Sequence, residues 1–408
     1  MEQTKFKNNI IKIFIISFFN SMIFAYVVER VFALERGLSL LQIQYIIIIY
    51  ALVSLILEVP CGVLADKWKK KYVLALGLFF RAFEFFVCIF AYRFGTFALA
   101  FSLAAVGGSL KSGSIDSLIY ESLDKTNKKD SFEKYMGMIK LLRYSVTGTA
   151  SIAGGFLAHK YGLTINYWLS LIGTPISILL SLTIYEPAVQ RASKMKFKMF
   201  EHVSKSVDII KKHPGIGQVI LYSGLTGAIL YGQLHEMPSA AYPSLGIPVY
   251  MFGFITFTIT LTGGLAGMLS GILTIKYSHR TIFNTILITS SIAIYLFSLS
   301  TNWLGIIYLI MAIFIMEIIS PIAQGYIHKK IEDEYRATIS SMQAFILQGL
   351  TIAVSLVFGF VANKLDIFGG FKAMTLIQGC YTIYFLKTWK EGKQLITSKK
   401  VAAKTLKI

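Results

Sequence analysis

The chain has 408 residues, of which 55% are apolar and only 15% charged, and its mean hydropathy is +0.63. A soluble fold of this length would lack the polar surface to cover itself, since soluble chains carry about 25% charged residues. The net charge of +19 does not point to nucleic acid, because the Lys and Arg residues fall in short loops between long apolar runs and not on one face or arm.

Apolar runs of about 20 residues, the length needed to cross a bilayer, lie at 10–32, 41–65, 72–94, 96–120, 136–158, 163–185, 216–234, 249–275, 281–300, 303–325, 338–362 and 371–387. Twelve membrane-spanning helices are therefore expected, and the first is a span and not a cleaved leader, being too long and lacking a small-residue cleavage site. Thirty Lys and Arg residues fall in the terminal segments and loops on one side, and six on the other. The positive-inside rule then places both termini in the cytoplasm of a multi-pass cell-membrane protein, read as a monomer in the lipid bilayer. The three cysteines, Cys61, Cys88 and Cys380, sit in apolar runs without metal-ligand spacing. Neither a bound metal, a cofactor nor a catalytic residue is expected, and a nucleotide-binding Gly-rich loop is missing from the sequence.

The hydrophilic stretch at 186–215 divides the chain into an N-terminal six-helix bundle (1–190), a linker (191–215) and a C-terminal six-helix bundle with a tail (216–408). Phe197, Phe200, Val203, Val207 and Ile210 recur at helical spacing with lysines between them. That pattern predicts a basic amphipathic helix on the inner membrane surface, or else a solvated linker.

Four segments repeat: GVLADKW from Gly62, GFLAHKY from Gly155, GILTIKY from Gly271 and GFVANKL from Gly359, closing the second, fifth, eighth and eleventh spans. Equivalent copies in the two halves are 209 and 204 positions apart. A three-helix unit used four times, with alternate copies ending on opposite sides, makes each half a 3+3 inverted repeat.

Charged groups at mid-bilayer cost on the order of 2.5–3.5 kcal/mol on insertion scales, so they mark the bundle interior or a water-filled cavity. Glu58 lies eight residues before Asp66, hence about 12 Å deep. Glu84 and Glu317 each fall near the middle of a span. All three are candidates for proton coupling, because burial and exposure of a carboxyl group change its affinity for protons. Arg81 and Glu84 share a helix face and can also neutralise each other. Arg81, Lys111, Asp116 and Lys140 form a candidate intramembrane charge cluster, with Lys111 able instead to attract an anionic substrate. Glu29 with Arg30, and His235 with Glu236, lie near the outer ends, where an outer gate and snorkelling are both open readings. Phe24 and Tyr26 in the first span, and Tyr222 and Tyr231 in the seventh, are candidates to line a cavity.

The loop GVLADKWKKK from Gly62 to Lys71 resembles the signature of the major facilitator superfamily, with Lys69 where the family usually has Gly. Leu57-Glu-Val-Pro-Cys-Gly, Ser112-Gly-Ser, Tyr120-Glu-Ser-Leu and Glu334-Tyr-Arg-Ala-Thr are similar to elements of a prokaryotic, exporter-type (drug/proton antiporter-like) branch, whose fifth-helix Pro is missing from Ala150–Gly155. The resemblance implies an all-α membrane fold of about twelve helices in two six-helix bundles. It implies a switch at Gly62, Asp66, Lys67, Lys70 and Lys71, with Glu121 and Arg143 extending it. In the family this Asp meets the N-terminus of the eleventh helix. The expected function is secondary active, proton-driven export of a small amphipathic molecule such as an antibiotic. Nutrient uptake, flipping of a lipid or lipid-linked sugar, and a non-transporting sensor are the alternatives.

Overall fold

The computed structural model describes residues 2–128, 131–186, 214–328 and 333–389, and their regular structure is helical. The expected amphipathic helix of the linker lies outside the described residues. In the N-terminal half, α1 (Glu2–Ser21), a 3₁₀ turn (Ala25–Val27) and α2 (Glu29–Glu35) form the first crossing, followed by α3 (Leu40–Lys67), α4 (Lys70–Ile89), α5 (Phe94–Asp124), α6 (Phe132–Tyr161) and α7 (Thr164–Leu182). The C-terminal half opens with α8 (Pro214–Ile229), a π-helical segment (Leu230–Leu234) and the short α9 (Pro238–Ala241). It continues with α10 (Val249–Lys276), α11 (His279–Ser298), α12 (Gly305–Glu317), α13 (Ile319–His328), α14 (Asp333–Lys364) and α15 (Ile367–Thr388).

Helix starts follow local chemistry. Ser39 and Gln42 form a reciprocal capping box at α3, with bonds of 3.2 and 2.9 Å. The Ser278 hydroxyl caps α11 and the Asp366 carboxylate caps α15, accepting from the Gly369 N–H at 2.6 Å. Gly162, at φ +83°, ends α6 in a conformation few side-chain-bearing residues adopt.

Among the described residues, nine helices are long and apolar enough to cross a membrane. The other three crossings differ for identifiable reasons. The fifth, α6, carries Glu133, Lys134, Lys140 and Arg143 in its first half. The seventh is broken at the π segment, and the twelfth, α15, is diluted by Gly, Gln and Thr. Large apolar side chains such as Ile275 (79%) and Leu376 (70%) stand exposed, which suits a surface facing lipid and not water.

The halves meet through small residues. A Cβ on Gly253 of α10 would come within 2.2 Å of the Ser151 carbonyl oxygen and 2.5 Å of Ile152 Cα on α6. Next to it, Phe156 stacks on Tyr250 at 6.1 Å. Gly253→Ala is therefore expected to force these backbones apart, at a cost of about 1–3 kcal/mol. It should lower the melting temperature of the purified protein by several degrees. Gly267→Ala, at a helical site with nothing within 4 Å of its Cβ, should not. Equal melting of the two variants would refute the contact.

Candidate functional site

Two broken helices set the site. The first crossing changes pitch at Ala25–Val27 and the seventh at Leu230–Leu234, and such defects re-aim side chains. Tyr26 lies within the first pitch change and Tyr231 within the second, 205 positions apart.

In the N-terminal half, Arg81 Nη1 donates to Glu84 Oε2 at 2.5 Å and Nη2 donates to the Tyr26 hydroxyl. The guanidinium also lies 4.8 Å from the Phe85 ring centroid. Glu84 is only 2% exposed, so the i, i+3 neutralisation anticipated for this pair is the geometry observed. Lys111 is brought alongside by the close approach of α4 and α5. A Cβ at Gly77 would meet Lys111 Cγ at 2.8 Å and the Gly107 carbonyl at 2.9 Å. The Lys111 ammonium donates to Asn20 Oδ1 at 3.2 Å. Asp116 and Lys140 do not join this group. Both are exposed, Lys140 lies 5.6 Å from the Tyr144 ring, and no described ion pair within 4.0 Å includes either of them.

On the C-terminal wall, Glu317 ends α12. Its carboxylate accepts from the Tyr231 hydroxyl at 3.1 Å and lies 3.2 Å from His235 Nε2. The two rings stack at 5.6 Å and 20°. A Cβ at Gly263 would sit 3.9 Å from the carboxylate, in ordinary van der Waals contact with it. A cavity of about 220 Å³ continues along this wall, lined by Ser223, Thr226, Tyr231, Ser320, Gln324 and Gln343 among others.

One end of this space is sealed between the halves. Arg30, 6% exposed, bridges Glu29 at 2.7 Å and Glu236 of the opposite half. Deeper in, Gln44 and Gln233 exchange amide hydrogen bonds of 3.0 and 3.3 Å, and Gln233 also donates to Ser355 at 3.0 Å. All three are fully buried, so every bond formed there closes the seal without leaving a polar group stranded.

At the other, Lys-rich end, Lys70 pairs with Glu121, two residues the sequence places in one switch. Glu186 accepts from the backbone N–H groups of Lys70 and Lys71 at 3.0 and 3.1 Å, a carboxylate seated on the N-terminus of α4. Lys71 and Lys12 donate to the last carbonyls of the sixth crossing, Leu182 and Thr183, at 3.3 and 2.6 Å. Arg143 is exposed and makes no described ion pair. Gly62 and the side chains of Glu58, Asp66 and Lys67, like the start of α14 that Asp66 is expected to meet, lie outside what the structure describes.

The cavity candidates divide. Tyr26 and Tyr231 are 44% and 41% exposed while bonded to Arg81 and Glu317. Phe24 is half-buried, and its carbonyl accepts from Asn166 at 3.0 Å. Tyr222 corrects the expectation. It is fully buried against Phe283 and Phe385, at 4.7 and 5.0 Å, with its hydroxyl on the Phe283 carbonyl. Nine residues of helix separate it from Tyr231, about two and a half turns, which puts it on the opposite face. Asn20, Gln44, Tyr50, Tyr144 and Gln233 were not anticipated. A search for neutral amides within apolar runs, and not for ionisable groups alone, would have found three of them.

A family profile described as Major Facilitator Superfamily matches residues 11–356. The chain is 25% identical over 344 residues to an uncharacterized MFS-type transporter of Bacillus subtilis (strain 168), YxaM, covering 81% of this chain and 83% of that one. It is 24% identical over 166 residues to an uncharacterized MFS-type transporter of Methanocaldococcus jannaschii, MJ1560, covering 40% and 42%. Among solved structures it is similar to the nucleoside transporter NupG, with a TM-score of 0.73 and 15% identity over 94% of this chain and all of that one. It is also similar to a bacterial homolog of the human lysosomal transporter Spinster in an inward-facing, unoccupied conformation, with a TM-score of 0.68 and 14% identity over 94% and 95%. At such identities the structural likeness establishes the fold: two six-helix bundles, each a 3+3 inverted repeat.

Proposed function

The chain belongs to the Major Facilitator Superfamily, and from that premise we propose that this membrane transporter is a proton-coupled exporter of a small amphipathic molecule. The observation that carries the reading is Glu317. It is a carboxylate beside an internal space, held by a tyrosine and a histidine, with no Lys or Arg within 4.0 Å among the described residues. Glu84, by contrast, is tied to Arg81, so protonating it would leave a buried cation unmatched. Glu317 can exchange a proton without breaking a strong ion pair.

With the Lys-rich loops facing the cytoplasm, the Arg30–Glu236 and Gln44–Gln233 contacts close the outer end and the cavity faces inward. Likeness to a structure described as inward-facing supports this orientation of the state. Lys70 and Glu121 then belong to the inner switch, together with Asp66.

The first test is drug susceptibility of an efflux-deficient bacterial host expressing the chain, with and without a proton uncoupler. For coupling itself, Glu317→Gln in proteoliposomes is expected to lower transport driven by a pH gradient at least about tenfold. Substrate exchange without a gradient should persist in that variant. Gradient-driven transport at the wild-type rate would remove Glu317 from the mechanism.

A further inference from the structure

A second cavity, of about 340 Å³, opens at the Lys-rich end of the N-terminal half and shares no lining residue with the one beside Tyr231. Lys5, Asn8 and Lys12 of α1, Lys71 at the start of α4, and the segment Thr183–Glu186 after α7 line it. Its wall is a built one. The Asn9 side chain, 1% exposed, donates to the Tyr185 carbonyl at 2.7 Å and accepts from the Tyr185 N–H at 2.9 Å. The buried Phe6 packs edge-on against the Tyr185 ring at 5.4 Å. The end of the sixth crossing is thereby fixed against α1.

Three lysines line this cavity against a single carboxylate, Glu186. Glu186 spends both of its oxygens on the backbone N–H groups of Lys70 and Lys71. Lys12 donates to the Thr183 carbonyl at 2.6 Å and Lys71 to the Leu182 carbonyl at 3.3 Å, as cations do at a helix C-terminus. An ammonium group has three N–H donors, so this capping uses one on each lysine and leaves two. The Lys5 ammonium lies 4.7 Å from the Tyr185 ring centroid and makes no described hydrogen bond. Among the described residues, none of the three lysines is in an ion pair within 4.0 Å; the pair at this end is Lys70–Glu121. Spare donors and unmatched positive charge thus face one enclosed space.

We infer that this cavity is a binding site for a phosphate group, presented by the headgroup of an anionic phospholipid or by a small soluble phosphate. The phosphate oxygens accept from the spare N–H donors of Lys5, Lys12 and Lys71, and the Asn8 amide is at hand on the same wall. The negative charge cancels an excess that otherwise repels itself across the cavity. The place suits a lipid headgroup: the cavity lies at the ends of three crossings, on the Lys-rich side that faces the cytoplasmic leaflet and its anionic lipids. A choline headgroup brings its own cation among the lysines and gains less. A phosphate held there ties α1, α4 and the end of α7 together, one residue from Lys70 of the inner switch. The site is independent of what the protein transports and of what drives it.

The test titrates the purified full-length chain in neutral detergent and reads rises in melting temperature on binding. The lipid probes are phosphatidylglycerol and phosphatidic acid, with phosphatidylcholine as control. The soluble probes are inorganic phosphate and glycerol 3-phosphate, with chloride at equal ionic strength as control. A rise above control is expected in one set or both, and the set that acts identifies the source of the phosphate. Its apparent affinity should fall about fivefold in Lys5→Gln and in Lys12→Gln, and about twenty- to thirtyfold in the double variant. Gln at position 12 keeps a donor for the Thr183 carbonyl, and melting without ligand controls for folding. Lys5→Arg should retain binding. Lys7→Gln removes the same charge from an exposed position of α1 outside the cavity, and should change the affinity less than about twofold. Equal losses in Lys7→Gln and Lys5→Gln would reduce the effect to diffuse attraction by a basic surface and overturn the site. So would the lack of a rise above control in both sets, or an unchanged affinity in a folded double variant.

Discussion

Replacing Arg30 by methionine is expected to shift the transporter strongly toward a state open at the end now sealed. Arg30 is almost fully buried and serves two carboxylates, Glu29 in its own half and Glu236 in the other. The Glu29 contact lies within one half and persists in either state, so only the bridge to Glu236 distinguishes the closed form. The Glu236 side chain is 42% exposed even there, so this is a partly solvated pair, worth about 1–2 kcal/mol with a guanidinium donor. Its loss weighs on the closed conformation alone, and a bias of this size moves a two-state equilibrium about five- to thirtyfold. A cysteine at Thr226, a buried position that lines the cavity and takes no part in the seal, reports the change in a background without Cys61, Cys88 and Cys380. Labelling by a membrane-impermeant maleimide added outside should rise about five- to thirtyfold in Arg30→Met and return toward the parental rate in Arg30→Lys. Unchanged labelling in a folded Arg30→Met protein would show that the bridge does not hold the seal.

Arg81→Met should be the most destabilising single change within the N-terminal half. It strands Glu84, which is 2% exposed, and removes the donor to Tyr26. The expected loss is again about 3–5 kcal/mol, whereas Arg81→Met combined with Glu84→Leu removes both charges and should recover most of it. Melting of the two singles and the double closes the cycle. Equal destabilisation of single and double would mean that the pair is not what links these residues. A stable double variant that no longer transports would assign a working role to the Arg81–Tyr26 bond beyond charge neutralisation.

His235 and Glu236 are adjacent in the chain, yet one contacts Glu317 in the cavity and the other holds Arg30 at the seal. Both follow the π-helical segment Leu230–Leu234 directly.

The sequence by itself determined the class, the number of crossings and the repeat. A bilayer imposes constraints that are local along the chain: about twenty apolar residues per crossing, backbone bonds satisfied within each helix, and cations retained on one side. Arg81 with Glu84 was legible for the same reason, since i and i+3 meet on any helix. What the tertiary structure alone decided is which distant groups meet. Lys70 with Glu121, His235 with Glu317 and Arg30 with Glu236 are separated by 51, 82 and 206 positions. Their pairing depends on how far each helix is rotated about its axis. That rotation is set by packing, such as the glycine contact of α4 with α5, and by the pitch changes at Ala25–Val27 and Leu230–Leu234. One residue of shift turns a side chain by about 100°. Tyr231 therefore faces the cavity, Tyr222 faces the bundle core, and no periodicity in their shared apolar run separates the two.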